Sequence, residues 1–267
     1  KDLMLNDYPL HLFSDWGHKA APFCFDKRWV QQWFNMIRDG NMNHSRLHTC
    51  PHPSFILDMA DEQGILITCE ALHGSGNGNA VDIPIFWENA AEEIRRIIQR
   101  DKNHPSVILW SASNEMRWNF SKEDNVRKNL PALAEIYHEL DPTRPVYFDG
   151  DSSLWDEKQQ AIISRHYGKE CAGTGWWDKT QPLHSGEMCF YHFQGPNNTL
   201  HISGDLVFAD YREMDRAAGI DTAKVIEDAR SMGVCCLGPW NQSCLVNLRP
   251  DTEKITLSYD DYTCPGM

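Results

Sequence analysis

A chain of 267 residues, 41% of them hydrophobic, can bury a large core without staples; its length suits one (β/α)8 barrel or two small domains. Its 38 acidic residues against 25 basic ones give a formal charge of −13, which argues against nucleic acid, whose phosphates need a basic face. No apolar run approaches the roughly 18 residues of a membrane span, and the nine cysteines, with no CxxC pair, mark neither a disulfide framework nor a structural zinc site.

In chain order, short apolar runs alternate with amphipathic stretches, the mark of βα units. Leu10 to Trp16 reads as a first strand. Asp26 to Asp39 reads as a helix, with Trp29, Val30, Trp33, Phe34 and Ile37 at helical spacing and Gly40 closing it. Met42 to His48 is the second strand, Pro53 to Gln63 a helix stopped by Gly64, and Ile65 to Glu70 the third strand. The glycine-rich segment His73 to Asn79 matches no phosphate loop and reads as a mobile surface loop rimming a site.

Phe86 to Asp101 is a helix with Ile94, Ile97 and Ile98 inward and Arg95, Arg96 and Arg100 outward. Ser106 to Trp110 is the fourth strand. Leu130 to Leu140 is a helix, Val146 to Phe148 the fifth strand, Ile162 to Tyr167 the sixth and Pro182 to Glu187 the seventh. Asp221 to Ser231 is a helix ended at Met232-Gly233, and Val234 to Trp240 is the eighth strand. Eight strands favour a closed α/β barrel over a doubly wound open sheet. The division is thus a (β/α)8 barrel over 1–245 and a C-terminal extension over 246–267. Cys69, Cys235 and Cys236 sit in apolar runs as small hydrophobes, which favours a reducing compartment and is compatible with a bacterial periplasm.

In a barrel the C-terminal strand ends converge on one mouth. Those ends carry Arg46 and His48 on strand two, Glu70 on three, Asn114 and Glu115 after four, His166 and Tyr167 on six, Glu187 on seven, and Trp240 and Asn241 on eight. Carboxylates, amides, imidazoles and an aromatic face suit a carbohydrate, and two facing acids suit glycosidic bond cleavage. His44, His48 and His52 recur every four residues, but in a strand and loop that spacing does not share a face, so no metal is expected. No cofactor is implied.

The stretch Arg100-Asp101-Lys102-Asn103-His104-Pro105-Ser106-Val107-Ile108-Leu109-Trp110-Ser111, running into Asn114-Glu115, resembles the signature of glycoside hydrolase family 2, which includes β-galactosidases, β-glucuronidases and β-mannosidases. Asn43 to Pro53, Ala60-Asp61-Glu62-Gln63-Gly64-Ile65-Leu66-Ile67 ending in Glu70, and Asp141-Pro142-Thr143-Arg144-Pro145 are similar to the family's second and third strands and its lead into the fifth. The resemblance extends over roughly residues 5 to 242. It implies a (β/α)8 catalytic barrel with retaining chemistry. Glu115 would be the general acid/base and Asn114 the partner of the sugar 2-hydroxyl. Glu187 would be the nucleophile, Arg46 and Tyr167 its flanking supports, and Trp240 the floor of the sugar subsite.

The sequence departs from the family pattern at His18-Lys19, at Cys69-Glu70 and at Met188-Cys189 after the nucleophile. Galactoside specificity is the first expectation. A uronidase is its rival, with Arg117, Lys169 and Lys179 as partners for a sugar carboxylate. A catalytically silent carbohydrate-binding barrel and a metal-dependent hydrolase are the alternatives from other classes. The family usually carries β-sandwich domains ahead of the barrel. None is read here, and the start at Lys1-Asp2 points to a piece of a longer chain, with further domains or a second copy as partners besides the carbohydrate.

Overall fold

The computed structural model describes residues 2–18, 27–49, 52–71, 74–116, 123–151, 161–166, 177–189 and 195–239. Eight parallel strands form one sheet: β1 (Leu12–His18), β2 (His44–His48), β3 (Leu66–Glu70), β4 (Val107–Asn114), β5 (Val146–Asp149), β6 (Ile163–His166), β7 (Leu183–Met188) and β8 (Cys236–Pro239). The neighbour order is β5-β4-β3-β2-β1-β8-β7-β6, so β8 pairs with β1 and the sheet curls into a TIM barrel. Its seam lies between β5 and β6. There side chains replace the ladder: Ser164 Oγ donates to Asp149 Oδ1 (2.5 Å) and accepts from the Gly150 amide (3.1 Å). Two-residue strands Met4–Leu5 and Tyr8–Pro9 form a small antiparallel hairpin before β1.

The helices lie where the apolar period places them; the first two start one residue later than the sequence suggested and the other three start earlier. Helix α1 (Lys27–Asp39) buries Val30, Trp33, Phe34 and Ile37, and α2 (Ser54–Gln63) ends on Gly64 at φ 71°, a left-handed cap that only glycine takes without strain. Helix α3 (Pro84–Asp101) opens on a proline whose missing amide is no loss there and buries Ala90, Ile94, Ile97 and Ile98. Helix α4 (Glu123–Leu140) starts well before Leu130 and carries Pro131 inside it; α5 (Tyr211–Met232) starts ten residues before Asp221, capped by Asp210, which accepts from the Arg212 amide. Within the glycine-rich segment, Ser75–Asp82 folds into 3-10 turns kinked at Gly78, and Gly74 bridges Asn114 at the end of β4.

Two-residue alternation sorts the barrel faces. On β3, Ile67 and Cys69 join the outer core with Ile56, Leu57, Ile94 and Ile98, while Thr68 and Glu70 turn inward. On β2, Leu47 faces out, and His44, Arg46 and His48 face in. Among the described residues Cys69, Cys235 and Cys236 are buried thiols, as expected of small core residues, and Cys189 is buried as well. The tail 246–267 lies outside the described residues.

Candidate active site

Strand β4 runs four residues past Trp110, through Ser111, Ala112 and Ser113 to Asn114. Glu115 follows at φ 52°, an uncommon conformation for a residue with a side chain. The turn is held from β5: the Glu115 amide donates to the Asp149 carbonyl (2.9 Å), and Asp151 Oδ2 accepts from Ser113 Oγ (3.0 Å) and the Met116 amide (2.8 Å). This turn brings Glu115 back over the barrel mouth. On the opposite wall, β7 delivers Glu187. One donor oxygen of Glu115, one of Glu187 and a ring nitrogen of His166 all lie within 4.8 Å of one another. The two acids differ in exposure: the Glu115 side chain is 12% exposed and that of Glu187 2%.

Arg46 is the cation at the centre. Its Nη2 donates to Glu187 Oε1 (2.6 Å), its Nη1 donates to Asp149 Oδ2, and its Nε lies 3.7 Å from Glu70 Oε2. Burial opposes its charge, but Asp149, Glu70 and Glu187 together hold it protonated, well above the ordinary guanidinium value. Glu70 is engaged on both oxygens. Oε1 accepts from the Thr49 amide (2.7 Å) and lies 3.0 Å from His48 Nδ1, and Oε2 accepts from Ser111 Oγ (2.9 Å). Burial pushes its pKa up to about 7, against the pull of Arg46. His48 Nδ1 also lies 2.7 Å from Arg46 Nη2. Glu70 and His48 thus sit in the lattice that fixes Arg46.

His166 lies between the acids. Its Nδ1 is 2.7 Å from Glu115 Oε1 and 3.7 Å from Glu187 Oε2, and its Nε2 is 3.0 Å from Asp149 Oδ1. Asn114 is buried at the mouth, and its Oδ1 has no hydrogen-bond partner among the described residues. The three histidines at spacing four do not converge. His44 bonds Ser14 and Thr68 inside the barrel, His48 joins Arg46, and the His52 carbonyl accepts from Arg100.

Seven of the ten residues expected at the mouth are described, and six meet in one network or beside it: Arg46, His48, Glu70, Glu115, His166 and Glu187, with Asn114 adjacent in β4. Tyr167, Trp240 and Asn241 lie outside the described residues, as do Arg117 and Lys169. Lys179 is at the wrong end: it donates to the Met232 carbonyl (3.0 Å), below the start of β8, and stacks over Trp177. Sequence reading missed Asp149 and Asp151. The signal was there, since Asp149-Gly150-Asp151 follows the apolar run Val146-Tyr147-Phe148 in the manner that singled out Glu70 and Glu115.

An eight-stranded parallel barrel whose C-terminal mouth holds two close carboxylates has the arrangement used to cleave glycosidic bonds. Comparison with known proteins agrees. Residues 17–179, more than half the chain, match the model of "Glycosyl hydrolases family 2, TIM barrel domain", and the chain belongs to that family. A beta-galactosidase of Arthrobacter sp. (strain B7) is 33% identical over 135 residues, covering 48% of this chain and 12% of that protein. Among solved structures, a beta-glucuronidase of an uncultured Clostridium sp. superposes with a TM-score of 0.69 at 17% identity, covering 90% of this chain and 44% of the other. A family 2 beta-galacturonidase from Eisenbergiella tayi bound to galacturonate gives 0.59 at 22% identity, with coverages of 70% and 37%. These structural likenesses speak to the fold, and the chain spans less than half the length of each of these relatives.

Proposed function

We propose that this barrel hydrolyses β-linked glycosides with retention, by double displacement, with Glu187 as nucleophile and Glu115 as general acid/base. The observation that carries the reading is the approach of the two carboxyl groups to within 4.8 Å. Retaining enzymes hold them ~5–5.5 Å apart, whereas inverting enzymes leave room for a water. The asymmetry of the two acids suits the roles. Glu187 is enclosed and receives a charge-assisted bond from Arg46. Glu115 is the more open of the two, where a leaving group departs.

Attack by Glu187 at the anomeric carbon breaks the glycosidic bond while Glu115 gives its proton to the leaving oxygen. Water then attacks the glycosyl-enzyme, gives a proton back to Glu115 and frees Glu187. Asn114, whose buried Oδ1 has no hydrogen-bond partner among the described residues, would accept a hydrogen bond from a sugar hydroxyl. Incubation with a 2-deoxy-2-fluoroglycoside and peptide mapping tests the assignment: the label is expected on Glu187, and a label on any other residue refutes it.

A galactoside is the first substrate to try, from the kinship to a protein named beta-galactosidase. A uronide is the second reading, favoured by structural neighbours named beta-glucuronidase and beta-galacturonidase. Its carboxylate partner would not be Lys179, which faces away from the mouth. Aryl β-galactoside, glucuronide, galacturonide and mannoside, assayed side by side, separate the two.

A further inference from the structure

The reaction proposed above uses two of the buried carboxylates at the mouth, and the Arg46 lattice accounts for Glu70. Asp149 remains. It is fully buried at the end of β5, and while its carbonyl accepts from the Glu115 amide, its carboxylate bonds neither the nucleophile's carboxyl nor the acid/base's in any contact above. Its Oδ1 accepts from Ser164 Oγ (2.5 Å) and lies 3.0 Å from His166 Nε2. The other ring nitrogen, Nδ1, lies 2.7 Å from Glu115 Oε1. A neutral imidazole has one N–H and one acceptor nitrogen. A ring with a carboxylate against each nitrogen is satisfied when both donate, that is, as an imidazolium.

Two glycines keep the space for this arrangement. At Gly150, whose φ is +71°, an added Cβ would stand 2.7 Å from His166 Nδ1. At Gly186 it would stand 2.3 Å from Asp149 Oδ1. One glycine from β5's end and one from β7 thus clear room for the ring and for its carboxylate partner.

We propose that Asp149 and His166 are a positioning pair for the acid/base: Asp149 keeps His166 an imidazolium, and His166 dictates which oxygen of Glu115 carries the transferable proton. The proposal rests on the reading of Glu115 as acid/base. Because Glu115 Oε1 accepts from Nδ1–H, the proton of the neutral acid must sit on the other oxygen, Oε2. In the first half-reaction that proton passes from Oε2 to the glycosidic oxygen. The carbon–oxygen bond breaks with its electron pair on the leaving group, and Glu187 bonds the anomeric carbon. Glu115 is left as an anion already paired with a cation. In the second half-reaction water attacks, its proton returns to Oε2, and Glu187 leaves. The imidazolium keeps both protons throughout, so it lowers the energy of a charge that exists only after transfer begins.

The charged and titratable groups facing the ring, among the described residues, are Glu115 from β4, Asp149 from β5, Glu187 and His184 from β7, and Arg46 from β2 with Nη1 at 3.4 Å from Nε2. Burial disfavours the cation, and Arg46 stands beside it as a like charge. Glu187, Asp149 and the Glu115 hydrogen bond outweigh them and hold the ring's pKa well above its ordinary 6.5.

The test has two arms on the full chain. Nitrogen-15 NMR of the histidine rings, with the His166 signals assigned by their loss in His166→Gln, is expected to show an imidazolium at pH 7.5 in the wild type and a neutral ring in Asp149→Asn. Kinetics then compare a dinitrophenyl glycoside, whose leaving group needs no proton, with an alkyl or phenyl glycoside that does. Asp149→Asn and His166→Gln should lose about 100-fold on the poor leaving group and under tenfold on the good one. The alkaline limb of kcat/KM, set by loss of the Glu115 proton, should rise by about 1–2 pH units in Asp149→Asn, where the neutral ring no longer favours the Glu115 anion. A neutral wild-type ring overturns the pair and leaves the glycosidase reading standing. Equal losses on both substrates reduce the pair to a structural role and also overturn it. A wild type that turns over no aryl glycoside overturns the glycosidase reading itself, and the pair's catalytic role with it.

Discussion

Arg46→Met removes the charge and most of the donors from the centre of the mouth while keeping a side chain of similar length. Arg46 is 1% exposed, bonds Glu187 at 2.6 Å and Asp149, and lies 3.7 Å from Glu70. Breaking a buried pair by deleting one partner costs about 3–5 kcal/mol, because the remaining charge is left uncompensated. Here several carboxylates share the one guanidinium, and some relief comes as they take up protons, so the expected loss at pH 7 is about 4 kcal/mol. Against a typical total of ~5–15 kcal/mol that is a third or more of the stability. Urea unfolding followed by circular dichroism measures it. Arg46→Lys should recover only part of the loss, since an ammonium is a point donor that cannot reach all three acids.

The pH dependence of that loss carries a sign. In the wild type, burial raises the Asp149 carboxyl, but Arg46 first and His166 second hold it well below 3.8. That stabilisation is present above the unfolded value and is lost as pH falls through the folded one. Without Arg46 it shrinks, and Glu70 loses the main influence that opposes burial and keeps it from rising above about 7. The deficit of Arg46→Met should therefore narrow from pH 7 to pH 5. A variant within ~1 kcal/mol of wild type at pH 7, or a deficit that stays constant with pH, refutes the electrostatic account.

Glu70→Gln should change the shape of the stability curve. A carboxyl raised by burial from 4.5 to about 7 gives its full stability below the unfolded value and loses it as pH rises through the folded one, an effect of order 3 kcal/mol. Thermal melts from pH 4.5 to 8 should show the variant gaining on wild type as pH rises; parallel curves sink the idea. Gly186→Ala drives a methyl into Asp149 Oδ1 and should cost about 1–3 kcal/mol together with activity on poor leaving groups. Gly64→Ala, strained by its φ of 71° but meeting nothing within 4 Å, should cost ~1 kcal/mol by calorimetry with activity unchanged. Asn114→Ala should lose about tenfold or more in kcat/KM on a full sugar and little on its 2-deoxy analogue; equal losses on both remove Asn114 from the 2-hydroxyl.

The fold was legible where apolar spacing was dense. Val30, Trp33, Phe34 and Ile37 placed α1 to within a residue at its start, and Ile94, Ile97 and Ile98 placed the buried face of α3. Reading failed where packing is thin or a local rule misleads. Helix α4 carries Pro131 after a charged first half, and the first half of α5 contributes Ala217 but little else to the core, so neither start left a clear stripe. Strand β4 appeared to end at Trp110 because Ser111, Ala112 and Ser113 are poor strand formers. Their burial is set by the Glu70 carboxylate, Asp151 and the strands on either side, partners distant in sequence.

The same reasoning explains why Glu115 and Glu187 were found and Asp149 was not. Glu115 and Glu187 stand where the family resemblance also points, whereas Asp149, with the same strand-end signal, takes its meaning from contacts distant in sequence, with Arg46 on β2 and with Ser164 and His166 across the seam. The interior is graded along its axis. Tyr147, Leu109 and Cys236 fill the apolar base with Leu12 and Ile162. Above them His44 and His184 are driven neutral, to about 3 and about 4, with burial the largest cause in both; the positive charge of Arg46 adds to it, and Asp149 opposes. Among the described residues of the interior, the positive charge thus sits on Arg46 and, in the proposed pair, on His166, both of which touch the paired acids. Moving a positive charge one layer down, as a lysine in place of His44 would, should unfold the barrel before it altered the chemistry. That outcome separates a polar layer built to be neutral from one that tolerates charge anywhere.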